Sequence, residues 1–580
     1  MGGSRKLTDA SVFQQVALLS VDFEYRRCLN LSSVKKEIVK KIEDSLKRLG
    51  IEAIPAIEVE VPPRESLGDL ATPVAMSLSG ILKKPPREIA KELIHFIKDE
   101  PAFENIDIAG PGFINFTFSR EYLYSEIKKL LQDREKVLRE DIGRGRRVQI
   151  EFVSANPTGP LHLGHGRGAA VGNALSNLLS ASGYKVEREY YINDAGKQVK
   201  LLGLSVFARY KQILGIEHPL PEEGYRGGYV EEIAAEIISK EGDKYIKADF
   251  DKVSDFFINY SYEVMLSRIK EDLKEFGVAF DTWQSERELY REEDVEKAIN
   301  DLKVKGFIYE KDGATWFKST SFGDDKDRVI IKQDGEYTYF TSDIAYHRKK
   351  VDKKYDELIN IWGADHHGYI QRLKAVIEAL GYPQEKLKIL LVQMVTLLRG
   401  GKPVQMSKRA GEFVTLKEVM EEVGVDTTKF IFLTRRPDSH LEFDIEVAKS
   451  QSSENPVFYV QYAHARINSI FAHAKEKGIN TGNLYDSDVG LLSNPEEMRI
   501  IRKLLMYPMV FEGAVNAHEP HRITFFLQEL SGLFHPYYNK YRIVDDNIEL
   551  CRARLALCEA VRIVLRDGLT ILGISAPEKM

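Results

Sequence analysis

The stretch "VQIEFVSANPTGPLHLGHGRGAAVGNAL", residues 148–175, decides the fold of this 580-residue chain. Its first part, 148–154, alternates between apolar and polar side chains, as a half-buried β-strand does. The stretch then passes through a turn rich in glycine and proline into a segment with the apolar spacing of a helix. A strand that leads through such a turn into a helix is the repeating unit of parallel α/β sheets.

The same alternation of strands and helices recurs further along the chain. A strand-like segment at 185–194 precedes a long helical pattern, 357–381 is predicted as strand, turn and helix, and 387–398 as a further buried strand. We therefore predict a multidomain α/β protein whose central domain is a Rossmann-like, doubly wound parallel sheet. Residues of about 205–330 are mostly helical with two or three strands near their end, which indicates an insertion into this domain.

The length of the chain indicates three or four domains. Residues 1–27 are predicted as an N-terminal extension of unclear role, and 28–120 as a small α+β domain. The sheet domain is predicted at 121–455 and an all-α domain at 456–580. The all-α segment contains 14 basic and 14 acidic residues, so a contact with RNA there must depend on individual arginines and aromatic side chains.

The composition is that of an ordinary soluble globular protein, with 43% hydrophobic and 29% charged residues and a net charge of -6. The three cysteines, Cys28, Cys551 and Cys558, are too few for a disulfide framework, which favours a reducing compartment. No apolar run reaches the ~18 residues that cross a membrane. We therefore expect a cytoplasmic protein without a membrane partner.

Two histidines, His162 and His165, stand where the helix of the first stretch begins. A structural zinc site needs three or four ligands, and this pair supplies two without a cysteine pair nearby, so we expect no protein-bound metal. Packing in a core fits poorly, because Gly164 and Gly166 offer no side chains to pack on the rings. Phosphate binding fits better, since a helix N-terminus beyond a parallel strand presents N–H donors and a positive dipole end. The three-residue spacing also places both imidazoles on one helix face.

A second glycine-rich and basic stretch, "GGKPVQMSKRAGEFVTL", lies at residues 400–416. Its Ser407, Lys408 and Arg409 can fold over a polyphosphate and neutralise its charge. The alternative for this segment alone is an exposed basic turn. Taken together, the two stretches favour a nucleotide site that is closed by a basic loop.

These stretches resemble the two signatures of the class I aminoacyl-tRNA synthetases, here "HLGH" and "QMSKR". The segments "REYYINDAGKQV", "TYFTSDIAYHRKK", "WGADHHGY", "SENPVFYVQYAHARI" and the ending "CRARLALCEAVRIVLRDGLTILGISAPEKM" are similar to the arginyl-tRNA synthetase family. The resemblance covers almost everything after residue 28. It implies a monomer that activates L-arginine with ATP, taken up with Mg²⁺, and transfers it from arginyl-adenylate to the 3′ end of tRNA-Arg.

The resemblance also implies which residues contact ATP. His162 and His165 would hold the phosphates, and Lys408 would stabilise the departing pyrophosphate. The base and ribose would lie near Gly164, the main chain of Met394, and the Asp365–His366 pair. The full set of implied ATP-binding residues is His162, Gly164, His165, Asp365, His366, Met394, Met406, Ser407 and Lys408, with His162, His165, Ser407 and Lys408 as the catalytic residues.

A guanidinium is a planar fork of donors that pairs best with carboxylates. The implied arginine-binding residues are Glu151, Asn156, Glu286, Tyr339 and Asp343. Tyr339 and Asp343 are four residues apart, so one helical turn would place both on one wall. Glu151 lies in an apolar strand where an unpaired charge is costly, and a bound guanidinium would provide its partner. The alternative for each acid is an exposed or helix-capping carboxylate.

The resemblance also implies how tRNA is bound. The domain at 28–120 would contact the tRNA elbow, and the helical domain at 456–580 would contact the anticodon. Phe113 and Asn115 offer an aromatic ring to stack and an amide to read a base edge. Tyr462, Arg466 and Met580 are the candidates in the helical domain. Ordinary core or surface roles remain alternatives for all five residues.

The second signature departs from its fullest form, because Gln405 stands where a lysine is usual. Lys402 or Arg409 are candidates to replace the lost charge. Two other classes remain open at this point. A small-molecule adenylyltransferase shares "HxGH" and "SK" but has no use for the two outer domains, and a non-catalytic RNA- or protein-binding relative would not need the complete set of site residues.

Overall fold

The computed structural model describes residues 31–48, 50–51, 56–98, 100–404 and 414–580. The predicted extension at 1–27 lies outside the described residues. The strands, in chain order, are β1 Leu70–Thr72, β2 Phe103–Ala109, β3 Phe113–Phe118, β4 Arg147–Glu151, β5 Lys185–Ile192, β6 Thr282–Ser285, β7 Ile308–Lys311, β8 Ala314–Phe317, β9 Arg328–Ile331, β10 Glu357–Gly363, β11 Leu387–Val392, β12 Val395–Arg399, β13 Lys402–Pro403 and β14 Leu441–Asp444.

The α-helices complete the framework. In chain order they are α1 Leu31–Arg48, α2 Val74–Leu82, α3 Pro86–Ile97, α4 Arg120–Asp133, α5 Leu163–Ala181, α6 Lys197–Ile213, α7 Gly228–Glu241, α8 Phe250–Glu275, α9 Glu286–Arg291, α10 Asp294–Val304, α11 Tyr339–Asp352, α12 Ile370–Ala379, α13 Leu416–Val423, α14 Val425–Phe432, α15 Ile445–Lys449, α16 Pro456–Glu476, α17 Pro495–Ala517, α18 His521–Lys540 and α19 Ile548–Ile571. No helix among the described residues is long and apolar enough to cross a membrane.

The central sheet has five parallel strands in the order β11-β10-β4-β5-β6. This confirms the doubly wound parallel sheet that the alternation of strands and helices predicted. Its first strand, β4, lies in the middle, because later strands are added on both sides of it. Val148 and Ile150 give β4 one fully buried apolar face, whereas Gln149 and Glu151 are buried polar residues on the opposite face.

Helix α5 packs unusually close to the sheet beside β4. A Cβ atom on Gly172 would lie 2.3 Å from ring atoms of Phe152, so only glycine fits at this point of the helix. The approach places the N-terminus of α5 directly beyond the carboxyl end of β4. The first stretch of sequence therefore forms the predicted strand–turn–helix unit.

The small N-terminal domain has the predicted α+β composition. Its antiparallel sheet has the order β1-β3-β2, and β2 and β3 form a hairpin around the turn Gly110-Pro111-Gly112. It also contacts the C-terminal helices, since Arg502 on α17 forms an ion pair with Asp69 at 2.9 Å. The C-terminal region is helical as predicted, with α16 to α19 sharing the largest hydrophobic core of the chain.

Two details differ from the sequence-based prediction. Strand β6 lies within the predicted insertion at about 205–330 but pairs with β5 as the edge of the central sheet. The inserted material is therefore two segments, a helical one from α6 to α8 and a mixed one from α9 to β9. The apolar run at 387–398 is two strands rather than one, because the chain turns at Met394 and β12 joins β13 and β14 in a separate sheet. Short strands of four to six residues carry too little pattern for sequence to separate them.

We expect replacement of Gly172 by alanine to destabilise the protein, because the added methyl group collides with Phe152. Overpacking of this kind costs about 1–3 kcal/mol, which thermal unfolding would report as a lower Tm. Gly168 on the same helix is the matched control, since a Cβ there meets no atom within 4 Å. Gly168→Ala should be neutral or stabilising, and equal Tm values for the two variants would contradict the close approach.

Candidate functional site

The candidate site lies where the order of the central sheet reverses. The chain passes from β4 to β5 on one side and later places β10 on the other side of β4. Ligands of open α/β sheets bind in the crevice at the carboxyl ends of the strands at such a point. Glu151 ends β4 and Gly363 ends β10, so the segments that follow these two residues form the crevice.

The backbone directly after β4 is held in an uncommon conformation. Val153 and Ser154 have φ angles of 68° and 40°, in the left-handed region that a β-branched residue such as valine rarely adopts. The turn closes on itself, because the Ser154 N–H donates to the Phe152 carbonyl at 3.0 Å. The Ser154 hydroxyl then accepts from the Tyr191 N–H at 3.1 Å and donates to Glu151 Oε1 at 3.2 Å. The turn therefore fixes the Glu151 carboxylate at the end of the strand.

His162 and His165 cap the N-terminus of α5 with their rings stacked, 3.7 Å apart between centroids. Nδ1 of His162 accepts from the N–H groups of Gly164 and His165 at 3.1 and 3.4 Å. Nδ1 of His165 accepts from the His162 N–H at 3.4 Å. An Nδ1 that accepts carries no proton, so each neutral ring carries its proton on Nε2, on the side of the ring away from the helix backbone.

The second signature falls largely outside the described residues, which include neither Met406, Ser407 and Lys408 nor Gln405 and Arg409. The residues that follow it contact the first signature. Thr415 pairs with His162 in an antiparallel bridge, and the Leu416 N–H donates to the Leu161 carbonyl at 2.7 Å. The segment that follows the second signature is thus joined to the start of the first signature.

The three predicted arginine-binding acids all lie close enough to the Tyr191 hydroxyl to affect its pKa. Burial raises the pKa of the Tyr191 hydroxyl, and Glu286, Asp343 and Glu151 raise it further. Glu286, at the start of α9, accepts from the Ser342 hydroxyl at 2.8 Å, and burial raises the pKa of its carboxyl. The structure therefore brings together acids from β4, α9 and α11.

Asp343 is the most strongly perturbed of the three acids. Burial raises the pKa of its carboxyl to about 7, although the Tyr369 hydroxyl lowers it by donating to Oδ2 at 2.6 Å. The charges of Glu286 and Glu151 also raise this pKa. Carboxylates crowded in this way are stabilised by a cation.

One premise of the sequence analysis is wrong. Glu151 was expected to lack a partner within the protein, but Lys350 on α11 donates to its Oε2 at 2.5 Å. Both residues are buried: Glu151 is 5% exposed, and the side chain of Lys350 is 1% exposed. The two residues are 199 positions apart, so no local pattern in the sequence announces the pair. Glu151 remains at the crevice, but its charge is already balanced.

The other two arginine candidates lie at the rim of the crevice. Tyr339 begins α11 one turn before Asp343, as predicted, and is 65% exposed. The Asn156 side chain donates through Nδ2 to Gln198 Oε1 at 2.6 Å. Gln198 belongs to α6 and was missed in the sequence, although it lies in the quoted segment "REYYINDAGKQV".

The nucleotide candidates outside the two signatures follow the neighbouring strands β10 and β11. Asp365 and His366 are exposed and belong to a 3₁₀ helix, Ala364–Tyr369, that follows β10. Met394 is 59% exposed at the turn between β11 and β12. No group of three or more His, Cys, Asp or Glu side chains among the described residues is arranged to hold a metal ion.

Sequence analysis missed Arg167, although it lies in the quoted stretch 148–175, two residues after the first signature. Its side chain is fully buried, and its guanidinium donates to the carbonyls of Gln393, Ser439 and Arg436 at 2.8–2.9 Å. Burial lowers its pKa to about 10, so it stays charged at neutral pH. Arg167 thereby ties α5 to the main chain beside Met394.

The predicted tRNA contacts differ in their exposure. Asn115 is 6% exposed in the central strand of the small sheet, which favours the core role that the sequence left open, whereas Phe113 is half-buried. On α16, the Arg466 guanidinium lies over the ring of Tyr462 at 4.4 Å. Met580 is 54% exposed.

Comparison with known proteins covers nearly the whole chain. Residues 126–469 match the family of class I tRNA synthetases (R), catalytic domain, 36–118 match the arginyl tRNA synthetase N-terminal domain, and 460–580 the DALR anticodon binding domain. The chain is 50% identical over 530 residues to an arginine–tRNA ligase of Geobacter sp. strain M21, which covers 91% of this chain and 95% of the relative.

A second relative and a solved structure agree with this result. The arginine–tRNA ligase of Geobacillus kaustophilus is 46% identical over 558 residues, or 95% of this chain and 100% of the relative. The arginyl-tRNA synthetase structure from Thermus thermophilus superimposes with a TM-score of 0.76, covering 94% of this chain and 100% of the other. That structure shares 21% sequence identity, so its likeness concerns the fold.

We expect Arg167→Met to lower the Tm of the protein markedly, because the fully buried guanidinium and its three hydrogen bonds to the carbonyls of Gln393, Ser439 and Arg436 are lost. Each buried polar group left without a partner costs about 1–3 kcal/mol. Arg435→Met is the matched control, since Arg435 is exposed and a surface substitution stays within about 0.5 kcal/mol. A Tm for Arg167→Met equal to that of the control would show that the three hydrogen bonds are not formed.

Proposed function

This chain belongs to the arginyl-tRNA synthetase family, and from that membership we propose how its crevice works. The enzyme is a class I arginine–tRNA ligase that uses ATP. An oxygen of the arginine carboxylate attacks the α-phosphorus of ATP, pyrophosphate leaves, and arginyl-adenylate forms. The 2′-hydroxyl at the 3′ end of tRNA-Arg then attacks the arginyl carbonyl, and AMP leaves. Both steps need positioning and charge stabilisation more than a covalent protein intermediate.

The observation that carries this proposal is the convergence of two features at the end of β4. One is a helix N-terminus capped by His162 and His165, which suits an anion. The other is the cluster of Glu151, Glu286 and Asp343, which suits a cation. An enzyme that joins the carboxylate of arginine to the α-phosphate of ATP needs an anion site and a cation site side by side.

We assign the Nε2–H groups of His162 and His165 to the ATP phosphates, because their Nδ1 atoms are engaged with the helix backbone. Lys408 and Ser407 close over the pyrophosphate from the second signature, with Met406 beside the nucleotide. This assignment is supported by the contact of Thr415 with His162, which joins the segment that follows that signature to the N-terminus of α5.

The base and ribose of ATP lie between the main chain at Met394 and the Asp365–His366 pair, with Gly164 leaving room for the adenine. ATP enters with Mg²⁺ as part of the substrate. Glu286 and Asp343 bind the guanidinium with Glu151 and Tyr339, and Asn156 contacts the amino-acid end of arginine. The orientation of Asn156 by Gln198 supports its role, because the amide then keeps its oxygen for an ammonium donor.

The outer domains bind tRNA-Arg. Tyr462 and Arg466 form a stacked aromatic and guanidinium surface of the kind that receives unpaired bases, and Met580 at the C-terminus lies in the same helical domain. Phe113 and the strand of Asn115 contact the elbow from the N-terminal domain. We propose that the enzyme acts as a monomer in the cytoplasm, where charged tRNA is consumed.

The two alternative classes lose their support. A small-molecule adenylyltransferase does not account for a match to an anticodon binding domain at 460–580. A non-catalytic relative does not account for Glu286 and Asp343, two acids that have no ion-pair partner among the described residues, beside a histidine-capped helix. Charging of tRNA-Arg, tested with each amino acid in turn, decides the question, and arginine alone should be accepted.

The histidine pair should be required for chemistry but not for tRNA binding. We expect His162→Ala with His165→Ala to slow adenylate formation by about 10³-fold, as loss of a preorganised donor does, while the Kd for tRNA-Arg is unchanged. His162→Asn is the sharper variant, because asparagine retains the helix cap and loses only the Nε2–H donor. His473→Ala, at an exposed position of α16, is the control and should be fully active. Adenylate formation that survives in both histidine variants would exclude the phosphate role.

We also expect arginine activation to depend on tRNA, a habit of the family that this chain resembles. Exchange of pyrophosphate into ATP, measured with arginine, should be near background without tRNA and should rise with tRNA-Arg. Appreciable exchange in the complete absence of tRNA contradicts this prediction without affecting the charging result.

A further inference from the structure

Lys350 is a buried lysine that the mechanism above does not use. Its ammonium donates to Glu151 Oε2 at 2.5 Å and to Asn360 Oδ1 at 3.0 Å, and it lies 4.2 Å from the centroid of the Tyr346 ring. Its side chain is 1% exposed. A lysine is buried so completely only where its charge and its donors are all satisfied.

The same lysine belongs to a hydrogen-bonded chain that reaches Asp343. Asn360 uses Oδ1 for Lys350, so its Nδ2 donates to His347 Nε2 at 3.1 Å. His347 Nε2 therefore accepts, and its Nδ1–H donates to the Asp343 carbonyl at 2.8 Å. Burial and the Lys350 charge lower the pKa of His347 to about 3, which keeps this ring neutral. The chain links the positions of Glu151 and Asp343 across the pocket.

The three acids of the pocket differ in their partners. Glu151 forms an ion pair with Lys350, whereas among the described residues neither Glu286 nor Asp343 is within salt-bridge distance of a cation. Their partners are the hydroxyls of Ser342 and Tyr369. The pocket thus presents two uncompensated carboxylates and one that is already balanced.

We propose that Lys350 is a positioning and charge-balancing residue of the arginine pocket. It holds Glu151 as an oriented hydrogen-bond acceptor and cancels its charge, so that the single charge of the guanidinium is met by Glu286 and Asp343. Each oxygen of Glu151 has one protein donor and keeps a lone pair for the ligand. This inference rests on the proposed assignment of the pocket to arginine.

Removal of the lysine would leave three buried carboxylates without a counter-charge. Like charges in one site favour protonation of one of them, and the pKa of Asp343 is already raised to about 7. Asp343 is neutral below its pKa and charged above it, so arginine binding strengthens as the pH rises. Lys350 lowers the pKa of Asp343 and Glu151 raises it. Loss of Lys350 therefore moves the pH at which arginine binding strengthens to a higher value, and further loss of the Glu151 charge moves it back.

The titratable and charged groups that face Asp343 are Glu151, Tyr191, Glu286, Tyr290, His347, Lys350 and Tyr369.

The test compares wild type, Lys350→Met, the double variant Lys350→Met with Glu151→Gln, and Lys350→Arg. The measured quantity is kcat/KM for arginine in tRNA-Arg charging between pH 6 and 9, which reports the free enzyme. We expect the acid limb of Lys350→Met to lie at least one pH unit above that of wild type. The kcat/KM of the variant should therefore be about tenfold below that of wild type at low pH, and the difference should become smaller at pH 9. The double variant should return the limb to the wild-type position, even if its maximal value stays low. Lys350→Arg should rescue most of the effect, because it keeps the charge.

Lys353→Met is the matched control, since Lys353 lies on the next turn and contacts Glu187 and Glu189 outside the pocket. Lys353→Met should leave the acid limb unchanged. The KM for ATP should be unchanged in every variant. An unshifted limb in a folded Lys350→Met enzyme, or a limb that Glu151→Gln does not restore, overturns the inference. If Lys350→Met does not fold, Lys350→Arg and the double variant decide the question. An acid limb that differs from that of wild type in either variant contradicts charge balance. Failure of the wild-type enzyme to charge tRNA-Arg with arginine would instead overturn the proposed function.

Discussion

The turn between β4 and α5 is the constraint on which the rest of the site depends. Over 10 residues, 152–161, the chain must leave Glu151 at the end of β4 and bring His162 to the N-terminus of α5. A free chain of this length has many conformations, and the left-handed backbone at Val153 and Ser154 is not one that it favours. The surroundings must therefore impose the turn.

Side chains from two other parts of the fold impose it. The Tyr190 hydroxyl, from β5, donates to the Ala155 carbonyl at 2.8 Å, and the Tyr229 hydroxyl, from α7 of the helical insertion, donates to the Thr158 carbonyl at 2.9 Å. The helical insertion is thus part of the structure that keeps the site in shape, and its own hydrophobic core gives it the rigidity to do so. Preorganisation of this kind is what positioning catalysis requires.

Sequence alone gives the elements of this site more readily than their contacts. The strand–turn–helix unit, the histidine pair and the helical C-terminal domain are local patterns, and each is present where it was predicted. The partners of Glu151 and Arg167 are not local, since Lys350 lies 199 residues and the Ser439 carbonyl 272 residues away. The burial of Asn115 depends likewise on how three strands pair. Long-range pairing is set by the tertiary fold, which is why sequence predicted an unpaired acid where the structure has an ion pair.

If arginine binds at Glu286 and Asp343 as proposed, the different partners of the three acids bear on how the site distinguishes arginine from lysine. An ammonium directs all of its donors from one atom, and Lys350 shows that a single glutamate with one amide and one aromatic ring satisfies it. Glu286 and Asp343 come from different helices and are each held by a hydroxyl, so a ligand must reach both to cancel both charges. A guanidinium, with five N–H groups in a plane, can donate in two directions at once. In the proposed pocket a lysine side chain would leave one of these two carboxylates without a counter-charge, and that unmet charge is a stronger basis for rejection than any difference in length.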